Sequence, residues 1–427
     1  MRVELKRAGS PLKGEIITPP DKSISHRAVM FSALSRGKSK IINPLMAEDT
    51  ISTMNAFRAL GVRIDEGRGW VTVDGSGILK EPSGPIDCGN SGTTMRLLSG
   101  VLSGNPFKSV LSGDESLSRR PMKRIMEPLR LMGADISAAR DDNYPPLTIR
   151  GGGLKPIIYE MPVASAQVKS AIMLAGLYAG GETLVVEKAR SRDHTERMLP
   201  AYGAEVNVEG GRITVRGGAE MKAVDMEVPG DFSSAAFFAV AATITEGSEL
   251  VIRNTGLNPT RTGLLDVLAR MGADIKVMNE REVSGEPVGD LGCSYSRLKG
   301  VDLDPGIVPS LIDEFPVLCV AASLAEGVTN IRGAEELRVK ESDRIAVVAN
   351  ALRSMGVEVE EYHDGMSIRG RESLRGTTVD SMGDHRIAMA FAVASLVARG
   401  VTVIDRSEAV GVSYPGFFDT IRSVSVG

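Results

Sequence analysis

The chain has 427 residues, too many for one ordinary hydrophobic core, so about two domains are expected. Its 50 basic and 54 acidic residues leave a formal charge of −4 with no run of like charge, which argues against nucleic acid or an anionic membrane as a main partner. The three cysteines (Cys88, Cys293, Cys319) lack metal-ligand spacing and are an odd number for a disulfide framework, so a cytoplasmic, reducing setting is expected.

The N-terminal "RVELK" alternates like a strand and has no apolar signal-peptide core. No apolar segment reaches the ~20 residues of a membrane span. Residues 19–30, "PPDKSISHRAVM", follow, and they crowd Lys22, Ser23, Ser25, His26 and Arg27 into the first turns of a helix. Cations oppose the dipole there, so the arrangement makes sense if an anion belongs at that helix end.

Two patterns then recur along the chain. The first is a helix apolar nearly all round, a Gly turn and a β-branched strand: "AVMFSALSRGKSKII", "TMRLLSGVLSGNPFKSVL", "AIMLAGLYAGGETLVV", "AAFFAVAATITEGSELVI", "PVLCVAASLAEGVTNI" and "AMAFAVASLVARGVTVI". Helices without a polar face must be enclosed by others. The second is an amphipathic helix stopped by glycine before a strand: "ALGVRI", "LMGADI", "AYGAEV", "RMGADI" and "SMGVEV", with Gly61, Gly133, Gly203, Gly272 and Gly356 in the left-handed stop position. Six repeats of roughly 70 residues result, arranged as two groups of three because no polar capping repeat is present. The sixth lacks its closing strand, which "RVELK" can supply. One domain is then discontinuous, 1–20 plus 230–427, and the other is 21–229.

Polar and charged residues precede nearly every helix, among them Lys22, Arg27, Arg96, Arg120, Lys169, Arg192, Arg261, Lys340, Arg344 and Arg386. Singly, Ser, Thr and Asp at such positions are ordinary caps worth about 1 kcal/mol. His194 and His385 each adjoin an Asp but lack HxH or HxxxH spacing, so no metal site is read. Taken together, the cations outnumber visible neutralising partners and imply an electropositive cleft for a multiply anionic ligand.

These motifs, "DKSISHR", "GNSGTTMR", "SAQVKSA", "RVKESDRI" and "GDHRIAM", closely resemble the 5-enolpyruvylshikimate-3-phosphate (EPSP) synthase family along essentially the whole chain. The resemblance implies an α/β two-domain inverted α/β barrel of six βαβαββ units, three per domain. It also implies transfer of enolpyruvyl from phosphoenolpyruvate to the 5-hydroxyl of shikimate 3-phosphate with phosphate release, the chorismate branch of aromatic amino-acid synthesis. Lys22, Asp313 and Glu341 are the implied catalytic residues, Asp313 for the hydroxyl proton and Glu341 for the proton at C3. Lys22, Ser23, Arg27, Ser165, Gln167, Ser191, Asp313 and Lys340 would hold shikimate 3-phosphate. Lys22, Gly92, Arg120, Gln167, Arg344 and Arg386 would hold phosphoenolpyruvate, with Asn90, Thr93, His194 and His385 around them. The 21–229 domain would carry the Lys22, Ser165 and Gln167 side of the cleft, and the discontinuous domain the Asp313, Glu341 and Arg386 side.

No metal or organic cofactor is expected, and the protein is read as a monomer whose only partners are its two small-molecule substrates. "SAQVK", "SRDHTE" and "NPTR" look like the class II subgroup, often poorly inhibited by glyphosate. Val412 stands where some members have lysine, His194 where some have tyrosine, and Glu336 where some have asparagine. Two alternatives remain: a transferase acting on a UDP-sugar, whose reactive-loop cysteine is missing from "LSGDESLSRRP", and a non-catalytic shikimate-phosphate-binding protein.

Overall fold

The computed structural model describes residues 1–425. The chain divides into a terminal domain (Met1–Pro19, Pro229–Glu282 and from Pro287 on) and an inserted domain (Pro20–Val228 with Val283–Glu286). Each has its own continuous hydrophobic cluster. The turn 283–286, between strands Asp274–Val283 and Glu286–Ser294, groups with the inserted domain, an exchange no local sequence pattern announces.

Three apolar helices form the centre of each core. In the inserted domain they are Lys22–Leu34, Gly92–Ser103 and Ala166–Gly176. In the terminal domain they are Phe232–Ile244, Phe315–Ala322 and His385–Ser395. Every residue of Phe232–Ile244 is buried, as its lack of a polar face requires. Phe237 stacks edge-on against Phe417, centroids 6.0 Å apart. Truncating such a ring costs about 3–5 kcal/mol. Gly100 shows how closely these helices approach, because a Cβ there would lie 2.2 Å from the Ala171 carbonyl oxygen.

Amphipathic helices such as Lys123–Leu131 cover the cores, burying Ile125, Met126 and Leu129. Gly61, Gly133, Gly203, Gly272 and Gly356, which follow five of these covering segments, all have φ between +85° and +99°, the stop signal open to glycine without strain.

Among the described residues there are six sheets, each of three or four strands. The barrel implied by the resemblance is therefore corrected: no sheet closes on itself, since three or four strands are far short of the roughly eight that surround a filled interior. The fold is α/β with two domains and repeated βαβαββ-like units. Arg2–Lys6 pairs antiparallel with Val401–Asp405, from Arg2 opposite Asp405 to Lys6 opposite Val401, and so completes the last sheet. Where the chain passes between domains, the entering strands are exchanged. Lys13–Ile17, just before the first apolar helix, runs parallel to Glu249–Gly256, whereas Met226–Glu227, just before the fourth, runs parallel to Arg36–Ile42.

Candidate active site

In the inserted domain the starts of the three apolar helices are tied to one another. Asp21 caps the first, its Oδ1 accepting from Ile24 N at 2.8 Å. Lys22 Nζ lies 3.0 Å from Asp49 Oδ2. Arg27 is buried, with Nε donating to Thr195 Oγ1 (2.8 Å), Nη2 to Ser170 Oγ (2.9 Å) and Nη1 to the Ser23 carbonyl (3.0 Å). Burial draws its pKa down to about 10, opposed by Glu196 and Asp21, so it stays charged at neutral pH. His26 Nδ1 meets Thr53 Oγ1 at 2.6 Å, and Thr53 Oγ1 meets Thr94 Oγ1 at 2.7 Å, which links the first helix to the second. Burial, reinforced by Lys22 and Arg27 and opposed by Asp49, pulls the His26 pKa to about 3, so the ring is neutral.

Ser91 caps the second helix, and Gly92 begins it. Gln167, from the third helix, donates to Thr93 Oγ1 (3.0 Å) and accepts from Arg96 Nη1 (2.7 Å). Arg120 donates to the Asn90 side chain and carbonyl and to Ser116 Oγ, while Asn90 donates to Asp114 at 2.7 Å. The Arg120 Nε is buried with no hydrogen-bond partner among the described residues. A Cβ on Gly92 would sit 2.8 Å from Arg96 Nη1 and 3.4 Å from Arg120 Nη1, so this glycine backbone lies between two guanidiniums. Asn90, Gly92, Thr93, Arg120 and Gln167 thus come together around Arg96. Ser165 caps its helix, accepting weakly from Val168 N. The Ser191 hydroxyl donates to Glu187, and His194 Nδ1 lies 2.7 Å from Glu286 Oε1.

The terminal domain holds a second cluster, centred on Arg344, whose side chain is wholly buried. Asp343 caps its helix through Ala346 N. Arg344 Nε lies 2.8 Å from Asp384, Nη2 lies 2.7 Å from Glu341, and Nη1 lies 3.2 Å from Asp313. Burial alone would lower its pKa, but Asp384, Glu341 and Asp313 more than offset that and hold it above the usual value. Arg386 also reaches Asp313, at 3.1 Å, and Asp384 caps the helix carrying His385 and Arg386. Half-buried Lys340 pairs with Glu336 at 3.7 Å, and desolvation lowers its pKa against the pull of Glu336, Asp313 and Glu341. His385 is buried at the helix start.

The expectation of under-neutralised cations is corrected in part. Lys22, Lys169, Arg261, Arg344 and Arg386 have carboxylate partners, which offset the cost of burying their charge, whereas buried Arg27 is held by the neutral oxygens of Thr195, Ser170 and Ser23. Lys169 is the extreme case. It lies wholly buried between Glu187 and Glu196, away from solvent. Sequence reasoning missed Asp49, Glu187, Glu196 and Asp384. Only Asp384 and Glu196 had a visible signal, their places in "GDHRIAM" and "SRDHTE".

No group of three or more His, Cys, Asp or Glu among the described residues could hold a metal ion. What the clusters offer is fixed positive charge for anions and two carboxylates, Asp313 and Glu341, oriented by one guanidinium. The model of the family described as "EPSP synthase (3-phosphoshikimate 1-carboxyvinyltransferase)" matches residues 6–421. The chain belongs to the EPSP synthase family. It is 53% identical over 425 residues to the 3-phosphoshikimate 1-carboxyvinyltransferase of Syntrophomonas wolfei, covering 99% of both chains. It is 54% identical over 415 residues to that of a Geobacter species, covering 97% of each. The structure of EPSP synthase from Acinetobacter baumannii superposes with a TM-score of 0.89 at 47% identity, over 99% of this chain and 98% of that one.

Proposed function

We propose that the protein is an enolpyruvyl transferase that moves the carboxyvinyl group of phosphoenolpyruvate to the 5-hydroxyl of shikimate 3-phosphate, releasing phosphate on the route to chorismate. The observation that carries this reading is Arg344 Nη1 and Nη2 gripping Asp313 and Glu341 at 3.2 and 2.7 Å, two candidate proton-transfer groups aimed by one cation. Asp313 takes the proton of the 5-hydroxyl as its oxygen attacks C2 of phosphoenolpyruvate, and Glu341 delivers a proton to C3. The resulting tetrahedral adduct then loses phosphate from C2 and a proton from C3, leaving the enol ether. Fixed guanidinium and ammonium charge (Lys22, Arg120, Arg344, Arg386) stabilises the phosphate and carboxylate throughout, and no step calls for a cofactor. Arg forks suit the carboxylate and phosphate of phosphoenolpyruvate, and the buried Nε of Arg120 is a donor with no acceptor among the described residues.

Lys22, Ser23, Arg27, Ser165, Gln167, Ser191, Asp313 and Lys340 are assigned to shikimate 3-phosphate, and Lys22, Gly92, Arg120, Gln167, Arg344 and Arg386 to phosphoenolpyruvate. The Ser191 hydroxyl, committed to Glu187, offers a ligand an acceptor oxygen. Against a UDP-sugar transferase stand the cysteines. All three are buried, and burial raises the Cys88 and Cys293 thiols to about 12 and Cys319 well above its ordinary value. No helix among the described residues is long and apolar enough to cross a membrane. The reading places the enzyme in the cytoplasm as a monomer. Phosphate release by the purified protein tests it: release must need both substrates, and a UDP-sugar must not replace shikimate 3-phosphate.

A further inference from the structure

Lys169 is not assigned a role by the reaction, yet its environment is unusual. It lies on helix Ala166–Gly176 among buried apolar neighbours (Val168, Ala171, Ile172), where a methionine or leucine would pack at lower cost. Its three N–H donors are all taken, by Glu187 Oε2 at 2.9 Å, Glu196 Oε1 at 2.5 Å and the Ser191 carbonyl at 3.3 Å. A buried ion cluster is weak evidence for stability, so its retention calls for another explanation.

Arg27 supplies one. It is buried beside this cluster, but among the described residues no carboxylate pairs with it, and its three hydrogen bonds there go to neutral oxygens. Five N–H donors belong to a guanidinium, so two are left for a ligand. Glu196 is the leading carboxylate acting on Arg27, and Thr195, the adjacent residue, holds its Nε. The Glu196 Oε2 is buried with no hydrogen-bond partner among the described residues. Lys169 therefore retains a carboxylate that would otherwise turn to Arg27.

Resting on the proposed assignment of Arg27 to shikimate 3-phosphate, we infer that Lys169 is a positioning residue: it captures Glu196 and so keeps the Arg27 donors open for an anionic group of the substrate. It touches no substrate itself. Without it, Glu196 and Arg27 form a pair that competes with the substrate.

The ligand-free crystal structure of Lys169→Met tests the rearrangement with no substrate involved. Glu196 within 4 Å of an Arg27 nitrogen is the expected result, and Glu196 remaining apart from Arg27 overturns the inference. Calorimetric binding and steady-state kinetics test the consequence. Lys169→Met should weaken shikimate 3-phosphate binding at least tenfold while changing the phosphoenolpyruvate KM less than threefold, and adding Glu196→Gln should restore shikimate 3-phosphate binding to within threefold of wild type. Equal losses for both substrates, or no recovery in the folded double variant, mean that Lys169 is only structural and the inference is wrong. If Lys169→Met does not fold, Lys169→Met/Glu196→Gln decides alone, since it lacks the competing carboxylate. Binding within threefold of wild type supports the inference, and a larger loss overturns it. Wild-type protein that fails to bind shikimate 3-phosphate refutes the proposed substrate instead, and leaves the crystallographic result to judge Lys169.

Discussion

Gly92→Ala separates the steric design of the site from its stability. Gly92 opens helix Gly92–Ser103 and is not among the residues with positive φ, so alanine meets no backbone strain there. Replacing a compatible glycine removes unfolded-chain entropy and on its own stabilises by about 0.4–1 kcal/mol. The new methyl, however, would stand 2.8 Å from Arg96 Nη1 and 3.4 Å from Arg120 Nη1. Ordinary contact needs more than 3.4 Å, so the Arg96 tip must retreat by roughly half an ångström or more. Arg96 is not free to do so without loss, because its Nη1 is bonded to Gln167 Oε1 at 2.7 Å, and Gln167 in turn reaches Thr93. Overpacking of this kind costs about 1–3 kcal/mol, or roughly ten- to hundredfold in affinity. The cost falls on ligands held by Arg120 and Gln167, which are assigned to phosphoenolpyruvate. The expected outcome is a Tm within a few degrees of wild type and a markedly raised phosphoenolpyruvate KM. Glyphosate, slightly longer than phosphoenolpyruvate, should suffer the larger increase in its inhibition constant. Steady-state kinetics and inhibition on the purified pair provide the assay. Unchanged constants for both compounds would show that the methyl is absorbed by Arg96 and that Gly92 does not border the ligand.

Asp313→Ala and Glu341→Ala should each lower kcat by roughly 10²–10⁴, with shikimate 3-phosphate binding surviving Glu341→Ala; near-normal turnover in either variant removes its assigned role. Arg344→Met leaves Asp384, which is wholly buried, without its cation and should cost about 3–5 kcal/mol in urea unfolding; an unchanged midpoint contradicts the pairing seen here. His26 has a native pKa of about 3 against an ordinary value of 6.5, so between these the unfolded chain binds a proton that the native state does not. The stability from neutral His26 is therefore complete above pH 6.5 and falls by up to roughly 1.4 kcal/mol per pH unit as pH drops toward 3. Unfolding curves at pH 7, 5 and 4 should show a shallower decline for His26→Gln than for wild type; parallel declines mean that His26 is not the group responsible.

Much of the architecture is legible because it follows from local rules. Helices such as "AAFFAVAATI" have no polar face and can only be central, and a glycine ending each amphipathic segment marks a left-handed stop. The incomplete sixth repeat even points to Arg2–Lys6, which does pair with Val401–Asp405. The exchange of Lys13–Ile17 with Met226–Glu227 is invisible in the sequence, because strand partners are chosen by tertiary contact and both segments read alike as short strands. The site divides in the same way. Its cations and caps stand in motifs at helix starts, whereas the carboxylates that balance them come from distant segments. Lys169 and Glu187 are 18 residues apart, Lys22 and Asp49 27 apart, and Arg344 and Asp384 40 apart, spacings no periodicity encodes. A charge count over the chain therefore misjudged how far the cations are neutralised.

The most direct test of addition followed by elimination is the reaction run in D₂O with both substrates and followed by ¹H and ³¹P NMR. If Glu341 delivers a solvent-derived proton to C3, that carbon passes through a methyl group. Deuterium must then appear in the vinyl group of the product as inorganic phosphate accumulates, and Glu341→Ala must slow both together. Product formed with no deuterium at C3, or phosphate released without a new vinyl ether on the 5-hydroxyl, would contradict the account.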